Sequence, residues 1–141
     1  MMMVDTVLKP SSIHGLGVFL AQPVRAGGLI WRFDSRIDRL YSPAEINGLP
    51  EHIQRYLRTY STWHAGAGAY VLCGDNGRFF NHSNQPSTVS DAVSFGEDRA
   101  VRDLAAGEEL TSDYATICDE VRLNGLDFGG APVNGHAELR L

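Results

Sequence analysis

The chain has 141 residues, the length of one ordinary domain and enough to bury a core without disulfide or metal staples. An apolar fraction of 43% and a charged fraction of 21% are those of a soluble globular protein, and no uninterrupted apolar stretch approaches the ~20 residues that span a bilayer. A formal net charge of -5 argues against direct nucleic-acid binding, which needs clustered Lys and Arg, and suits a basic partner better.

The opening residues Met1-Met2-Met3-Val4-Asp5 form neither a basic nor an apolar leader region, so a cytoplasmic location is the default expectation. Gly, Pro and Asn then cut the chain into short pieces, which favours strands over helices. Strands are predicted at 4–8, 16–22, 29–33 and 36–40. Ser42-Pro43-Ala44-Glu45 starts a helix, with Ser as N-cap, Pro at the first helical position and Glu completing a capping box, until Gly48 and Pro50 interrupt it. A second helix over Glu51–Tyr60 sets Ile53, Tyr56, Leu57 and Tyr60 on one face, opposite Gln54, Arg55 and Arg58. Further strands are expected at 69–73, 89–95, 99–101 and 109–110, and a third helix after Tyr114 as far as Leu123, capped by Asn124-Gly125. The remainder, 126–141, has no clear period and reads as a lid or tail. No repeat or linker marks a second domain, so 1–141 is read as one domain of a mainly β, β-rich α+β class, with its core over 9–114 and a lid or tail over 115–141. Cys73 and Cys118 form no Cys-x-x-Cys pattern and are read as small buried side chains.

Three segments carry chemistry, each with a plainer alternative. His14-Gly15-Leu16-Gly17-Val18-Phe19 lets a backbone turn tightly against a ligand, or is an ordinary turn before a strand. It lacks the third glycine and following helix of a dinucleotide site. Arg78-Phe79-Phe80-Asn81-His82-Ser83-Asn84-Gln85-Pro86 sets polar groups after two aromatics, where either a ligand or the local backbone must satisfy them. Ala106-Gly107-Glu108-Glu109-Leu110-Thr111-Ser112-Asp113-Tyr114 ends a short strand on a tyrosine, a general acid/base or a core aromatic with a wet hydroxyl.

In this order and at this spacing, Gly-x-Gly, Arg-Phe-x-Asn-His-Ser-x-x-Pro and Gly-Glu-Glu-Leu-Thr-x-Asp-Tyr together resemble the SET-domain protein-lysine methyltransferases. The resemblance runs from Lys9 to Tyr114, and Val24–Ile30 and Arg99–Leu104 look like the family's strand-turn phrases. It implies small curved β-sheets, with the Asn-His segment threaded through a loop near the C-terminal motif in a knot-like way. It also implies S-adenosylmethionine as methyl donor, leaving as S-adenosylhomocysteine, held by Gly15, Leu16, Gly17, Arg78, Asn81, His82 and Tyr114. Tyr114 is the expected catalytic residue, and Tyr70 and Ser112 are expected to line the channel of the incoming lysine. The implied partner is a Lys-bearing protein, with basic histone-like or ribosomal proteins suited to an acidic enzyme.

Departures from the pattern have consequences of their own. Asn84 stands where many members have a zinc-binding Cys, and no Cys-x-Cys follows, so no metal is expected. The lid that such a cluster supports must come from 117–128 or from a partner chain, which leaves a homodimer open. Ser87 stands where the family often has Asn. Ser112 stands where it has an aromatic, which would leave room for a lysine that already carries methyl groups. A SET-like binding module without turnover is the competing reading, disfavoured because Tyr114, Asn81 and His82 are retained.

Overall fold

The computed structural model describes residues 1–64, 67–90 and 96–114. The expected helix and lid beyond Tyr114, and Cys118, lie outside the described residues. Among the described residues, ten short strands and two α-helices occur in the order β1 (Thr6–Pro10), β2 (Leu16–Leu20), β3 (Leu29–Arg32), β4 (Arg39–Tyr41), α1 (Pro43–Asn47), α2 (Glu51–Tyr60), β5 (Ser61–His64), β6 (Ala69–Leu72), β7 (Asn81–His82), β8 (Thr88–Ser90), β9 (Glu97–Ala100) and β10 (Glu109–Ser112). They form three small sheets, ordered β1-β2-β10-β7, β3-β9-β8 and β4-β6-β5. A mainly β fold of small sheets with few short helices is what the sequence led us to expect.

The helices follow their sequence signals. The Ser42 hydroxyl accepts a bond from the Glu45 amide (3.1 Å) and the Glu45 carboxylate accepts one from the Ser42 amide (2.7 Å), completing the capping box. Helix α2 keeps its predicted bounds, but its apolar face is only partly used: Leu57 is buried, whereas Ile53 and Tyr56 stay exposed. The supposedly solvent-facing Gln54 turns back to the Leu49 carbonyl at 2.8 Å and closes the gap between the helices. Strand β5 was not foreseen. Ser61 ends α2 with extended backbone and starts the strand without a turn, so no punctuation marks the change.

Strand β4 starts later than predicted because Asp34 bends the chain: its carboxylate accepts the Arg36 amide at 2.9 Å, and its carbonyl accepts those of Ile37 and Asp38. Asp38, buried, in turn accepts the amides of Asp34 (2.9 Å) and Gly74 (3.1 Å), fastening this turn to the end of β6. Residues 76–79 form a 3-10 turn that leads into the polar segment. The strand is Asn81–His82 itself.

Among the described residues, two apolar clusters form the core. Val18, Leu20, Ile30, Phe80, Ala100, Leu104 and Leu110 pack where the first two sheets meet, and Ile46, Leu57 and Tyr70 pack between the helices and the third sheet. Val18 and Leu110 are partners across β2 and β10 and are both fully buried, each contributing roughly 1.5–3 kcal/mol. Cys73 carries a free, half-buried thiol whose pKa burial pushes up, with Asp38, Asp98 and Asp75 adding to the effect. Lys9, the only lysine in the sequence, lays its ammonium over the Phe19 ring at 4.5 Å from the centroid. No helix among the described residues is long and apolar enough to cross a membrane.

One carboxyl makes stability depend on pH. Burial pushes Asp98 from its ordinary 3.8 up to about 6, although Ser90 donates a bond to it at 2.5 Å. Between these values the folded state holds a proton that the unfolded chain has released, so this group's contribution to stability falls as pH rises through that window and is level above it. A rise of this size corresponds to roughly 2–3 kcal/mol. Asp98→Asn is therefore expected to raise the melting temperature at pH 7.5 and to leave it nearly unchanged at pH 4. Equal gains at both pH values would assign the effect to something other than the buried charge.

Candidate active site

Residues distant in sequence meet at one end of the first sheet. Strand β10 runs antiparallel to β2, with Glu109 opposite Phe19 and Leu110 opposite Val18. Continuing that register carries the Ser112 end of β10 to the Gly15 end of β2. On its other side β10 runs parallel to β7, with Thr111 beside Asn81 and Ser112 beside His82. The Gly15–Gly17 loop, the Asn81-His82 pair and the Asp113-Tyr114 step therefore share one end. Two-residue β7 is held by more than its ladder: the Ser83 amide reaches the Ser112 carbonyl at 3.1 Å. Ser87, at the position that departs from the family, receives the Thr111 amide at 2.8 Å and donates to the Glu109 carbonyl at 3.1 Å. A serine thus anchors this loop to β10.

Asn81 is buried, and its Nδ2 donates toward the carbonyls of His14 (3.0 Å) and Leu16 (3.1 Å) and toward Glu109 Oε1 (2.9 Å). All three partners are acceptors, which fixes the orientation of the amide. The Ser11 amide takes the intervening Gly15 carbonyl at 2.8 Å. Three successive carbonyls of the glycine loop are thus bound to protein, while Gly15 adopts φ 44°, a left-handed conformation that suits glycine. Beside it, His14 Nδ1 is buried with no hydrogen-bond partner among the described residues, the kind of atom that a polar ligand would complete.

His82 Nδ1 accepts the Tyr114 amide at 3.2 Å, so its proton belongs on Nε2, which faces Asn84 Oδ1 at 2.9 Å. The ring also lies against the Tyr114 ring, 5.3 Å between centroids, with Asp113 Oδ1 3.9 Å from Nδ1. Asn84, at the family's zinc-ligand position, here orients a histidine. Tyr114 is held at both ends, since its hydroxyl donates to the Phe80 carbonyl at 2.5 Å. With that proton committed, the phenol oxygen meets any further group as an acceptor.

The remaining predicted residues lie in several places. Arg78 binds the Cys73 carbonyl through Nε (3.0 Å) and the Tyr56 hydroxyl through Nη1 (2.5 Å), tying the 3-10 turn to β6 and α2. Tyr70 is buried in the second cluster, its ring 5.0 Å from that of Trp63. Ser112 is buried, with its hydroxyl 3.1 Å from that of Thr88. Glu109 and Ser11 escaped the sequence reading, although strand alternation holds a clue: of two adjacent glutamates only one can face inward. Glu108 binds Arg102 at 2.8 Å near the surface, and Glu109 turns in. Among the described residues no three His, Cys, Asp or Glu side chains are grouped to hold a metal ion.

Comparison with known proteins gives the family. The SET domain family model matches residues 15–115. Histone-lysine N-methyltransferase ATX2 of Arabidopsis thaliana is 32% identical over 130 residues, covering 80% of this chain and 11% of that protein, so the chain spans a small part of its relative. A chain of the Chaetomium thermophilum Polycomb Repressive Complex 2 bound to GSK126 matches with a TM-score of 0.64 at 18% identity, over 86% of this chain and 17% of that one. A Plasmodium falciparum chain described as a histone methyltransferase matches with a TM-score of 0.56 at 20% identity, over 80% and 95%. These two likenesses speak to the fold, and the family model reaches from the glycine loop to just past Tyr114. The chain belongs to the SET-domain family.

Proposed function

We propose that this chain transfers a methyl group from S-adenosylmethionine to the lysine ε-amine of a protein. The observation that carries the reading is the meeting of the glycine loop, Asn81-His82 and Tyr114 at one sheet end, where strands from residues 16–20, 81–82 and 109–112 run side by side. Gly15, Leu16 and Gly17 would hold the donor, with the unsatisfied His14 Nδ1 as an additional polar contact. Bound there, the donor supplies a methyl already activated on a sulfonium, so the protein's share of the work is alignment and charge.

Tyr114 does the aligning. Its oxygen, acting as acceptor, can take an N–H of the incoming amine and direct the nitrogen lone pair toward the methyl. The amine must be neutral, whereas a free lysine with a pKa of ~10.4 is almost entirely protonated at pH 7. Burial in a narrow site favours the neutral form. His82 keeps the Tyr114 backbone in place, and Phe80 keeps its hydroxyl pointed. The net charge of -5, and a relative named for histone lysines, support a basic Lys-bearing protein as substrate.

Calorimetry with S-adenosylhomocysteine tests the first half, with one site per chain expected. Asn81→Ala, which frees the His14 and Leu16 carbonyls, should weaken binding by roughly tenfold or more. A folded wild-type chain that binds none would refute the proposal. Mass spectrometry of Lys-rich proteins incubated with the donor tests the second half, since binding without methylated product would favour the binding-module alternative.

A further inference from the structure

Glu109 was noticed in the sequence only as part of a motif, yet its carboxylate lies at the centre of the glycine loop's support. Ser11 Oγ is 2.9 Å from both carboxylate oxygens, and Asn81 Nδ2 donates to Oε1 at 2.9 Å. Ser11 also receives the Ile13 amide on its hydroxyl at 2.9 Å, so the same serine holds the approach to the loop. Gly17 packs directly against this group: a Cβ there would come within 2.2 Å of Oε1, 2.7 Å of the carboxylate carbon and 3.1 Å of the Ser11 Cβ. A side chain at position 17 would therefore have to displace the Glu109 carboxylate from Ser11 and Asn81. A negative charge with two donors and a bare backbone around it is satisfied only while the loop keeps this shape.

Strand β10 thereby has one role at each end. Glu109 at its start shapes the loop, and its last residue leads through Asp113 to Tyr114. We propose that Glu109 is a positioning residue for the cofactor: clasped by Ser11, Asn81 and Gly17, its carboxylate fixes the Gly15–Gly17 loop and so sets affinity for S-adenosylmethionine, leaving methyl transfer to Tyr114. This rests on the function proposed above. A residue that acts through the loop moves cofactor affinity, while a residue that merely holds the fold moves everything together.

The test measures S-adenosylhomocysteine affinity, cofactor KM, kcat and melting temperature for the full chain. Glu109→Ala should raise Kd and cofactor KM by roughly tenfold or more, with kcat at saturating cofactor within about threefold of wild type. Glu109→Gln keeps a carbonyl where Ser11 and Asn81 converge, and should recover most of the loss. Gly17→Ala should weaken binding strongly in the wild-type background and much less in Glu109→Ala, because the atoms it strikes are gone; that non-additivity is particular to this contact. Should Glu109→Ala fail to fold, Ser11→Ala removes one donor and should raise Kd by a few-fold. Unchanged affinity in Glu109→Ala, equal loss in Gln and Ala, or additive behaviour with Gly17→Ala would each overturn the inference. Absence of binding by the wild-type chain would instead overturn the methyl-transfer reading itself.

Discussion

Tyr114→Phe is expected to lower methyl transfer by roughly 100-fold or more while leaving S-adenosylhomocysteine affinity within a few-fold of wild type. The substitution keeps the ring that lies against His82 and the backbone amide that His82 holds, and removes only the oxygen. It also strips the Phe80 carbonyl of the hydroxyl that binds it, so some loss of stability should accompany the loss of rate. The two effects separate cleanly: calorimetry and melting report the second, and single-turnover transfer to a Lys-bearing protein reports the first. Turnover at the wild-type level would place the chemistry elsewhere.

Gly74→Ala should be the most damaging single-methyl change in the described chain. A Cβ at this position would lie 1.8 Å from the Ile37 carbonyl oxygen and 2.7 Å from its carbon. Both are backbone atoms that cannot rotate aside. The Gly74 amide is meanwhile bound to buried Asp38, which also fastens the Asp34 turn, so relief of the clash must break that bond or displace the turn. A cost of roughly 3 kcal/mol or more follows, and with it a fall in melting temperature of about 10 °C or more. A melting temperature within a few degrees of wild type would show that the approach of the two chain segments is looser than described.

What could be read beforehand followed the range over which each signal acts. The capping box at Ser42 and the span of α2 are local matters of spacing, and the structure bears both out. Strands were found where Gly and Pro bracket them and missed where they do not, as at Ser61–His64. The site itself is non-local. Nothing near Asn81 in sequence says that it will clasp the His14 and Leu16 carbonyls; only the resemblance placed these segments together, and it offered no role for Glu109 or Ser11. The fate of Tyr70 and Ser112 depends likewise on packing: both are buried, one among aromatics and one against Thr88, and their relation to a substrate channel depends on a substrate. An aromatic at the Ser112 position, as the family often has, would have to displace the Thr88 hydroxyl.

The ammonium resting on Phe19 has a practical corollary. Because Lys9 is the only lysine of this sequence, self-modification has a single side-chain address. Methyl label that stays with this chain in a transfer reaction can be located by one peptide, and label on any other lysine belongs to the acceptor protein. The same scarcity limits amine-directed attachment to two groups, the α-amine of Met1 and Lys9, the latter on an edge strand whose register with β2 is known residue by residue. Acceptor specificity could then be read without the background that a lysine-rich enzyme imposes on its own assay.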